Sequence, residues 1–294
     1  MDSRFAAALA PNLMGACPED DSPFGVSHDA LGCDIVEYWD NRSGSYSSGV
    51  MDEVDTDQWN AWGLLLHEQL SDVIRLEREE SDAVDFGRPR VLDLGCGPGF
   101  FEMLLSQMGC AVVGIDSSPE MLKQAMANVE ALGQGRAVSF LEGDVSQLPF
   151  EAGSFDLVVS RNVTWLMRNP QACYQEWLRV LKPGGKLLVF DANWYRYLVD
   201  EPTNEDRLRQ QVDIDSLGYR EESRATDDEE SRCEIIARQL PLTYELRPAW
   251  DVTALESLGA RGVMANDEIW KRVWTEGEQS FYGSSPLFMV EASK

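Results

Sequence analysis

Between residues 90 and 192, short apolar runs alternate with segments of helical spacing, and few folds accept such an alternation. The runs that predict strands are VLDL, AVVGID, AVSFLEGD, FDLVVS and KLLVFDA. Each is separated from the next by enough chain for a crossover helix, which parallel neighbours in a sheet require. The sequence therefore predicts an α/β fold with a doubly wound, parallel sheet.

Local signals place the ends of the helices in this part of the chain. Ser118 is followed by Pro119, and Asn169 by Pro170; both pairs are typical of an N-cap with a first-turn proline. Gly109 is suited to the residue after a helix. The run KPGG, residues 182–185, predicts a turn that ends the helix before the fifth strand.

The first strand leads into a loop with three glycines, Gly95, Gly97 and Gly99. Glycine weakens regular structure, so this spacing indicates a sharp turn or the close approach of a ligand. In open parallel sheets ligands bind beyond the carboxyl ends of the strands, and the N-terminus of the next helix favours an anionic group. A dinucleotide pyrophosphate and the carboxylate of S-adenosylmethionine both satisfy these conditions.

The spacing of the glycines separates these two ligands. The dinucleotide fingerprint is GxGxxG, whereas the third glycine here comes one residue early and Phe100 takes the last position. Asp93, directly before the loop, would repel a pyrophosphate but attract an ammonium group. Since S-adenosylmethionine carries both an ammonium and a carboxylate, the loop favours the methyl donor.

Two further aspartates are predicted at strand ends. Asp116 ends the second predicted strand, 23 residues after Asp93, where a carboxylate can accept hydrogen bonds from both ribose hydroxyls. Asp144 ends the third, where it can accept a hydrogen bond from an adenine amino group. Carboxylates at the ends of three consecutive strands indicate one shared site.

Five motifs in this order resemble the class I S-adenosylmethionine-dependent methyltransferases, in their small-molecule branch with the methyltransferase-domain-11 and UbiE-like enzymes. They are VLDLGCGPG, VVGIDSSPEML, LEGDVSQLPF, SFDLVVSRNVTWLM and RVLKPGGKLLVFD, with a less specific match in SPLFMVEASK. The resemblance implies a Rossmann-like, seven-stranded sheet of order 3-2-1-4-5-7-6 with an antiparallel last strand. GARGVMA and PLFMVEA would be strands six and seven, after a helical cap inserted behind strand five.

The resemblance also implies roles for individual residues. The donor would be bound by the glycine loop, by Asp116 at its ribose and by Asp144 at its adenine, and S-adenosylhomocysteine would be the product. The implied cofactor-binding residues are Asp93, Gly95, Cys96, Gly97, Gly99, Asp116, Ser117, Met121, Asp144, Val145, Ser160, Arg42 and Tyr38. The implied catalytic residues are Arg161, Asn162 and Tyr46, and Trp165, Trp194, Tyr195 and Tyr197 are candidates for the substrate.

The rest of the chain is assigned to four further parts. Residues 1–33 are predicted to be a loosely ordered leader, and residues 34–86 a lid segment with an amphipathic helix. The core is residues 87–192, the cap 193–250, and the C-terminal part of the sheet 251–294. YWDNRSGSY resembles a lid that closes over the donor, with Arg42 near its carboxylate; alternatively, its aromatic residues only pack this segment down.

Composition limits the partners. With 25 basic and 51 acidic residues the formal net charge is −26, which disfavours nucleic acid and anionic membranes. Six scattered cysteines without a CxxC pair are typical of a reducing compartment, so a cytoplasmic location is expected. The two histidines lack metal-ligand spacing, and no metal site is predicted.

The functional prediction is therefore an enzyme (EC 2.1.1.-) that methylates a small molecule at nitrogen, sulfur or oxygen by in-line displacement. Two alternatives stay open from the sequence. One is a non-catalytic protein that binds S-adenosylmethionine and acts through a partner; the other is a nicotinamide-dependent oxidoreductase. The oligomeric state and the acceptor are not predicted.

Overall fold

The computed structural model describes residues 30–80, 87–135, 137–217 and 225–294. Most of the predicted leader therefore lies outside the described residues. In the described part of the chain, no helix is both long and apolar enough to cross a lipid bilayer.

A single seven-stranded sheet forms the centre of the molecule, in the order β3-β2-β1-β4-β5-β7-β6. Strands β1 to β5 run parallel, and β7 is antiparallel to both of its neighbours. The predicted fold class is confirmed. The strands are β1 (Arg90–Leu94), β2 (Ala111–Asp116), β3 (Val138–Glu142), β4 (Phe155–Arg161), β5 (Leu181–Asp191), β6 (Arg261–Asn266) and β7 (Phe288–Ser293).

Helices cover both faces of the sheet and the region beyond its carboxyl ends. Before and within the parallel part they are α1 (Ala30–Val54), α2 (Asp57–Glu80), α3 (Phe100–Gln107), α4 (Pro119–Ala131) and α5 (Pro170–Val180). After β5 they are α6 (Glu201–Leu217), α7 (Asp227–Ala237), α8 (Ala249–Ser257), α9 (Trp270–Val273) and α10 (Glu276–Tyr282). The insertion behind the fifth strand is thus helical in its described residues.

The predicted helix ends are confirmed, with one exception. The Ser118 hydroxyl accepts a hydrogen bond from the Met121 amide at 3.0 Å, and the Asn169 side chain accepts one from the Ala172 amide at 3.2 Å. The KPGG run, however, is not a separate turn but lies within β5. It absorbs a register shift between the pairs Phe155–Leu181 and Leu157–Lys186.

The first two helices attach to the core in different ways. Helix α2 buries the apolar face that its spacing predicts, and the Trp62 ring packs edge-on against Phe101 and Phe190. Helix α1 contains the whole YWDNRSGSY segment and contacts α4 through polar groups. Asp40 accepts a hydrogen bond from the Ser118 hydroxyl at 2.6 Å, and the Ser47 hydroxyl accepts one from Asn128 at 3.0 Å.

A buried ionic network joins the inserted region to the sheet. Arg247 binds Asp191, the last residue of β5, at 2.7 Å and Asp251 of α8 at 2.8 Å. The three side chains are at most 1% exposed. Asp191 also accepts hydrogen bonds from the Trp165 amide at 2.8 Å and from the Trp194 indole at 2.9 Å. The network therefore fixes the position of two tryptophans at the carboxyl edge of the sheet.

Replacing Arg247 by methionine is expected to destabilise the fold strongly, because two carboxylates would remain buried without their cation. The free energy of unfolding, measured by urea denaturation, should fall by about 3–5 kcal/mol. Arg209→Ala is the matched control, since Arg209 makes exposed ion pairs with Glu205 and Asp206. It should cost less than about 1 kcal/mol. Equal losses in the two variants would contradict a structural role for the buried network.

Candidate active site

Two neighbouring cavities lie at the carboxyl edge of the sheet. The first, of about 300 Å³, is bounded by the loops that follow β1, β2, β3 and β4. Helix α1 covers it with Gly32, Ile35, Val36, Trp39 and Tyr46. The second, of about 520 Å³, lies between α1 and the helices that follow β5. Trp39, Tyr46, Arg161 and Asn162 line both cavities.

The glycine loop forms one wall of the first cavity. Its three glycines have positive φ angles, 68° at Gly95, 51° at Gly97 and 89° at Gly99, which side chains rarely tolerate. A Cβ atom on Gly95 would lie 2.4 Å from a Val163 methyl carbon, so packing also requires glycine there. A Cβ atom on Gly97 would have one neighbour within 4 Å, a carbon of the Tyr46 ring at 3.8 Å, which is an ordinary contact. A ligand can therefore approach the backbone at Gly97.

Asp116 occupies the predicted place at the end of β2 and lines the first cavity with Ser117 and Met121. One carboxylate oxygen accepts a hydrogen bond from the Gly97 amide at 2.9 Å, and the other from the Ser118 amide at 2.8 Å. Burial raises the pKa of Asp116 to about 6. The carboxylate is therefore ionised at neutral pH and held in place, with lone pairs left for a ligand.

Asp144 also lines the first cavity, beside Val145, but it does not end a strand as predicted. Strand β3 stops at Glu142, because the neighbouring strand β2 ends at the paired residue Asp116. The Asp144 carboxylate accepts a hydrogen bond from the Ser146 amide at 2.7 Å and pairs with Arg168 at 3.3 Å.

The three predicted catalytic residues are close together in the wall between the cavities. Both oxygens of Glu53 accept hydrogen bonds from Arg161, at 2.9 and 2.8 Å, and the guanidinium lies over the Trp62 and Phe100 rings. Asn162 has a φ of 60°, the left-handed conformation, and its side chain hydrogen-bonds to Tyr46. Its buried Oδ1 has no hydrogen-bond partner in the described structure. Burial raises the pKa of Tyr46, so the phenol stays neutral.

Four predicted donor residues lie behind the wall of the first cavity rather than on its surface. Asp93 is buried beneath the glycine loop and the Cys96 side chain is buried within it, and burial raises the pKa of both groups. The Ser160 hydroxyl donates a hydrogen bond to the Leu94 carbonyl at 3.2 Å, and Gly99 packs against Ala125. None of the four is among the residues that line the cavity.

The second cavity contains all four predicted substrate residues, Trp165, Trp194, Tyr195 and Tyr197. It also contains two residues that the sequence assigns to the donor, Tyr38 and Arg42. Arg42 forms an ion pair with Glu229 of α7 at 3.5 Å. The structure therefore separates Tyr38 and Arg42 from the cavity that holds Asp116 and the glycine loop.

Sequence reasoning missed several residues of the site. Glu53 carries no local signal, since its role depends on Arg161, 108 positions away. Ile35 and Val36 precede the lid motif and have no polar group to attract notice. Tyr282 lines the second cavity from α10, and its ring lies 5.7 Å from that of Trp274, the residue after α9. The richness of this region in aromatic residues indicates such a role only in general terms.

The first cavity offers groups that match the parts of S-adenosylmethionine. The Asp116 and Asp144 carboxylates can accept from ribose and adenine donors, and Gly97 leaves room beside its backbone. The unpartnered Oδ1 of Asn162 is a buried acceptor that a cationic donor group would satisfy. The residues present therefore fit this cofactor.

Comparison with known proteins finds similarity in the same region of the chain. Residues 92–189 match the family described as Methyltransferase domain. An uncharacterised 37.1 kDa protein from a Streptomyces fradiae transposon is 39% identical over 130 residues, 42% of this chain and 36% of that protein. Ubiquinone biosynthesis O-methyltransferase from Xanthomonas oryzae pv. oryzae is 34% identical over 114 residues, covering 38% and 47%. Malonyl-[acyl-carrier protein] O-methyltransferase from Enterobacter lignolyticus is 35% identical over 117 residues, covering 38% and 44%.

These matches span less than half the length of the curated relatives. Among solved structures, a complex between the Haloferax volcanii Trm112 methyltransferase activator and a methyltransferase matches with a TM-score of 0.53. The identity is 19%, over 87% of this chain and 97% of that one, so this likeness concerns the fold. Residues 92–189 thus match the methyltransferase-domain family, and the sheet order 3-2-1-4-5-7-6 is that of the class I methyltransferase fold, whose cofactor is S-adenosylmethionine.

Proposed function

We propose that the protein transfers a methyl group from S-adenosylmethionine in the first cavity to a small molecule in the second. The observation that carries the proposal is the shared wall of Trp39, Tyr46, Arg161 and Asn162. Direct displacement needs donor and acceptor in line and close together, and two cavities divided by single side chains allow this.

The donor would lie along the carboxyl edge of the sheet. Asp116 would bind the ribose hydroxyls, and Asp144 with Val145 the adenine. The methionine end would face Gly95, Gly97 and the Oδ1 of Asn162. When bound, the donor supplies a methyl group on a positively charged sulfur, which needs no activation by a metal.

The lining of the second cavity favours a planar acceptor that is neutral or cationic. Aromatic rings suit such ligands through stacking and cation–π contact. The three arginines that line the cavity are paired with carboxylates: Arg42 with Glu229, Arg161 with Glu53, and Arg207 with Glu230. Their charges are compensated, so they do not favour an anionic acceptor.

The residues in the shared wall are suited to positioning rather than to proton transfer. Tyr46 is held neutral, and both Glu53 oxygens are engaged by Arg161. His67 is exposed on α2 and lines neither cavity. We therefore propose that alignment by Asn162, Tyr46 and the aromatic walls supplies the rate enhancement.

Two of the similar proteins are named O-methyltransferases, so phenols and catechols are the first acceptors to screen, followed by amines and thiols. The cytoplasmic location remains a prediction from the scattered cysteines. The expectation that nucleic acids and membranes are not partners remains a prediction from the net charge.

Removing the Asp116 carboxylate should abolish most of the donor affinity. In calorimetric titrations with S-adenosylmethionine and S-adenosylhomocysteine, Asp116→Ala is expected to weaken binding at least tenfold, which is about 1.4 kcal/mol. The loss of two ribose hydrogen bonds to a charged acceptor explains the size of the effect. Asp267→Ala, a change at an exposed aspartate outside both cavities, should bind like the wild type. Unaltered affinity in Asp116→Ala would contradict the proposed donor site.

A substitution that tests acceptor binding alone must be made at a residue that lines only the second cavity. Tyr195 is such a residue, and its ring lies 4.7 Å from the Trp165 ring. With an acceptor found by radiolabelled methyl transfer, Tyr195→Leu should raise the KM for the acceptor about two- to tenfold, since an aromatic pair contributes about 0.5–1.5 kcal/mol. The KM for S-adenosylmethionine should stay the same.

Two results would contradict the proposed function. An unchanged KM for the acceptor would place the acceptor outside the second cavity. Tight donor binding without methyl transfer to any phenol, amine or thiol would favour the non-catalytic alternative.

A further inference from the structure

Glu102 is a fully buried carboxyl group in the first turn of α3, directly after the glycine loop. Neither of its oxygens receives a hydrogen bond from a donor in the described structure. An ionised carboxylate without a donor is very unfavourable in a buried position. Glu102 therefore holds a proton under ordinary conditions.

The group that faces Glu102 is another carboxyl, that of Asp93 at the base of the same loop. The two side chains are within hydrogen-bonding reach, and Asp93 is only 3% exposed. Two carboxyls can form a hydrogen bond only when one of them supplies a proton. Burial raises the pKa of Asp93 to about 7, and burial and the charge of Asp93 raise that of Glu102 well above its ordinary value.

Strand β2 leaves space for this pair. Gly114 lies in the middle of β2, where glycine weakens a strand. A Cβ atom at this position would lie 2.4 Å from Oε1 of Glu102 and 3.0 Å from the Cys96 sulfur. The glycine is therefore required by the carboxyl that fills its place, and the pair is built into the packing of the sheet.

The pair is in electrostatic contact with the donor cavity. Asp93 interacts with the charges of Asp116 from β2 and Arg161 from β4, both of which line the first cavity. Glu102 interacts with Asp93 and Asp116, and Cys96 with all three acids. A change in the charge of the pair is therefore felt where the methionine end of the donor would lie.

We infer that Glu102 is a positioning residue of the donor site: its protonated carboxyl donates to Asp93 beneath the glycine loop and so favours a negative charge on Asp93, just behind the cavity wall that the donor's ammonium group would face. The inference rests on the proposed function for the identity of the donor. Glu102 does not touch the cavity and acts through Asp93.

The consequence is a linkage between donor binding and proton release. An ammonium group stabilises the ionised form of Asp93, so affinity should rise with pH as Asp93 loses its proton. With a pKa of about 7, the ionised fraction of Asp93 rises about eightfold between pH about 6 and about 7.5. Asp116, whose pKa is about 6, adds only about a twofold rise over the same range.

The test is calorimetric titration of the whole chain with S-adenosylhomocysteine at these two pH values, in two buffers of different ionisation enthalpy. Wild type should gain more than tenfold in affinity at the higher pH and release close to one proton on binding at the lower pH. In Glu102→Gln the amide still donates to Asp93, so the pH dependence should stay close to that of wild type. In Glu102→Leu this donor is lost and the pKa of Asp93 rises. A rise of about one unit would lower the affinity at pH about 7.5 about threefold.

Asp156→Asn is the matched control. Asp156 is also a buried carboxyl, but it lies at the opposite end of the sheet, where it pairs with Lys182 and accepts from the Arg90 amide at 2.7 Å. This variant should keep the wild-type pH dependence.

A Glu102→Leu profile equal to that of wild type would overturn the inference, and so would a Glu102→Gln profile equal to that of Glu102→Leu. So would wild-type binding without proton release, a result that stands even if the variant fails to fold. No binding of S-adenosylhomocysteine by wild type at either pH would overturn the proposed donor site itself, which distinguishes the two failures.

Discussion

The Asp191 carboxylate is the point at which the sheet and the helices beyond it are joined. It ends β5, is fully buried, and receives hydrogen bonds from the Trp165 amide, the Trp194 indole and Arg247. A buried carboxylate is tolerated only when its charge and lone pairs are satisfied, so each partner is held in one place. Because two of those partners are tryptophans of the second cavity, the shape of that cavity depends on an interaction at the edge of the core.

The first cavity depends on a different set of contacts, between α1 and the parallel sheet. Asp40 and Ser47 attach α1 to α4, and Glu53 near its end binds Arg161 at the end of β4. The Asp40 and Glu53 contacts reach the carboxyl edge of the sheet, at Ser118 after β2 and at Arg161 in β4, and the Ser47 contact reaches the side of α4. The cover over the glycine loop is therefore positioned by polar groups, whereas α2 is held by apolar packing around Trp62.

Much of the fold can be predicted because its signals are local. Strand runs, the caps at Ser118 and Asn169, and the glycine spacing each depend on a few adjacent residues. Other features could not be predicted, because they depend on distant partners. The SGSYSSG run has poor helix propensity, yet α1 continues through it. The reason is that polar groups of this run and the Tyr46 ring pack against the core. The Glu53–Arg161 and Asp93–Glu102 contacts follow from how α1 and α3 dock onto the sheet.

The presence of Trp39 and Tyr46 in both cavities has a thermodynamic consequence for the proposed reaction. A ligand in either cavity restricts the same two side chains, and the entropy lost in fixing them falls on whichever ligand binds first. The second ligand meets side chains that are already ordered. Affinities for donor and acceptor are then cooperative, and the factor by which one ligand strengthens the other is the same in both directions.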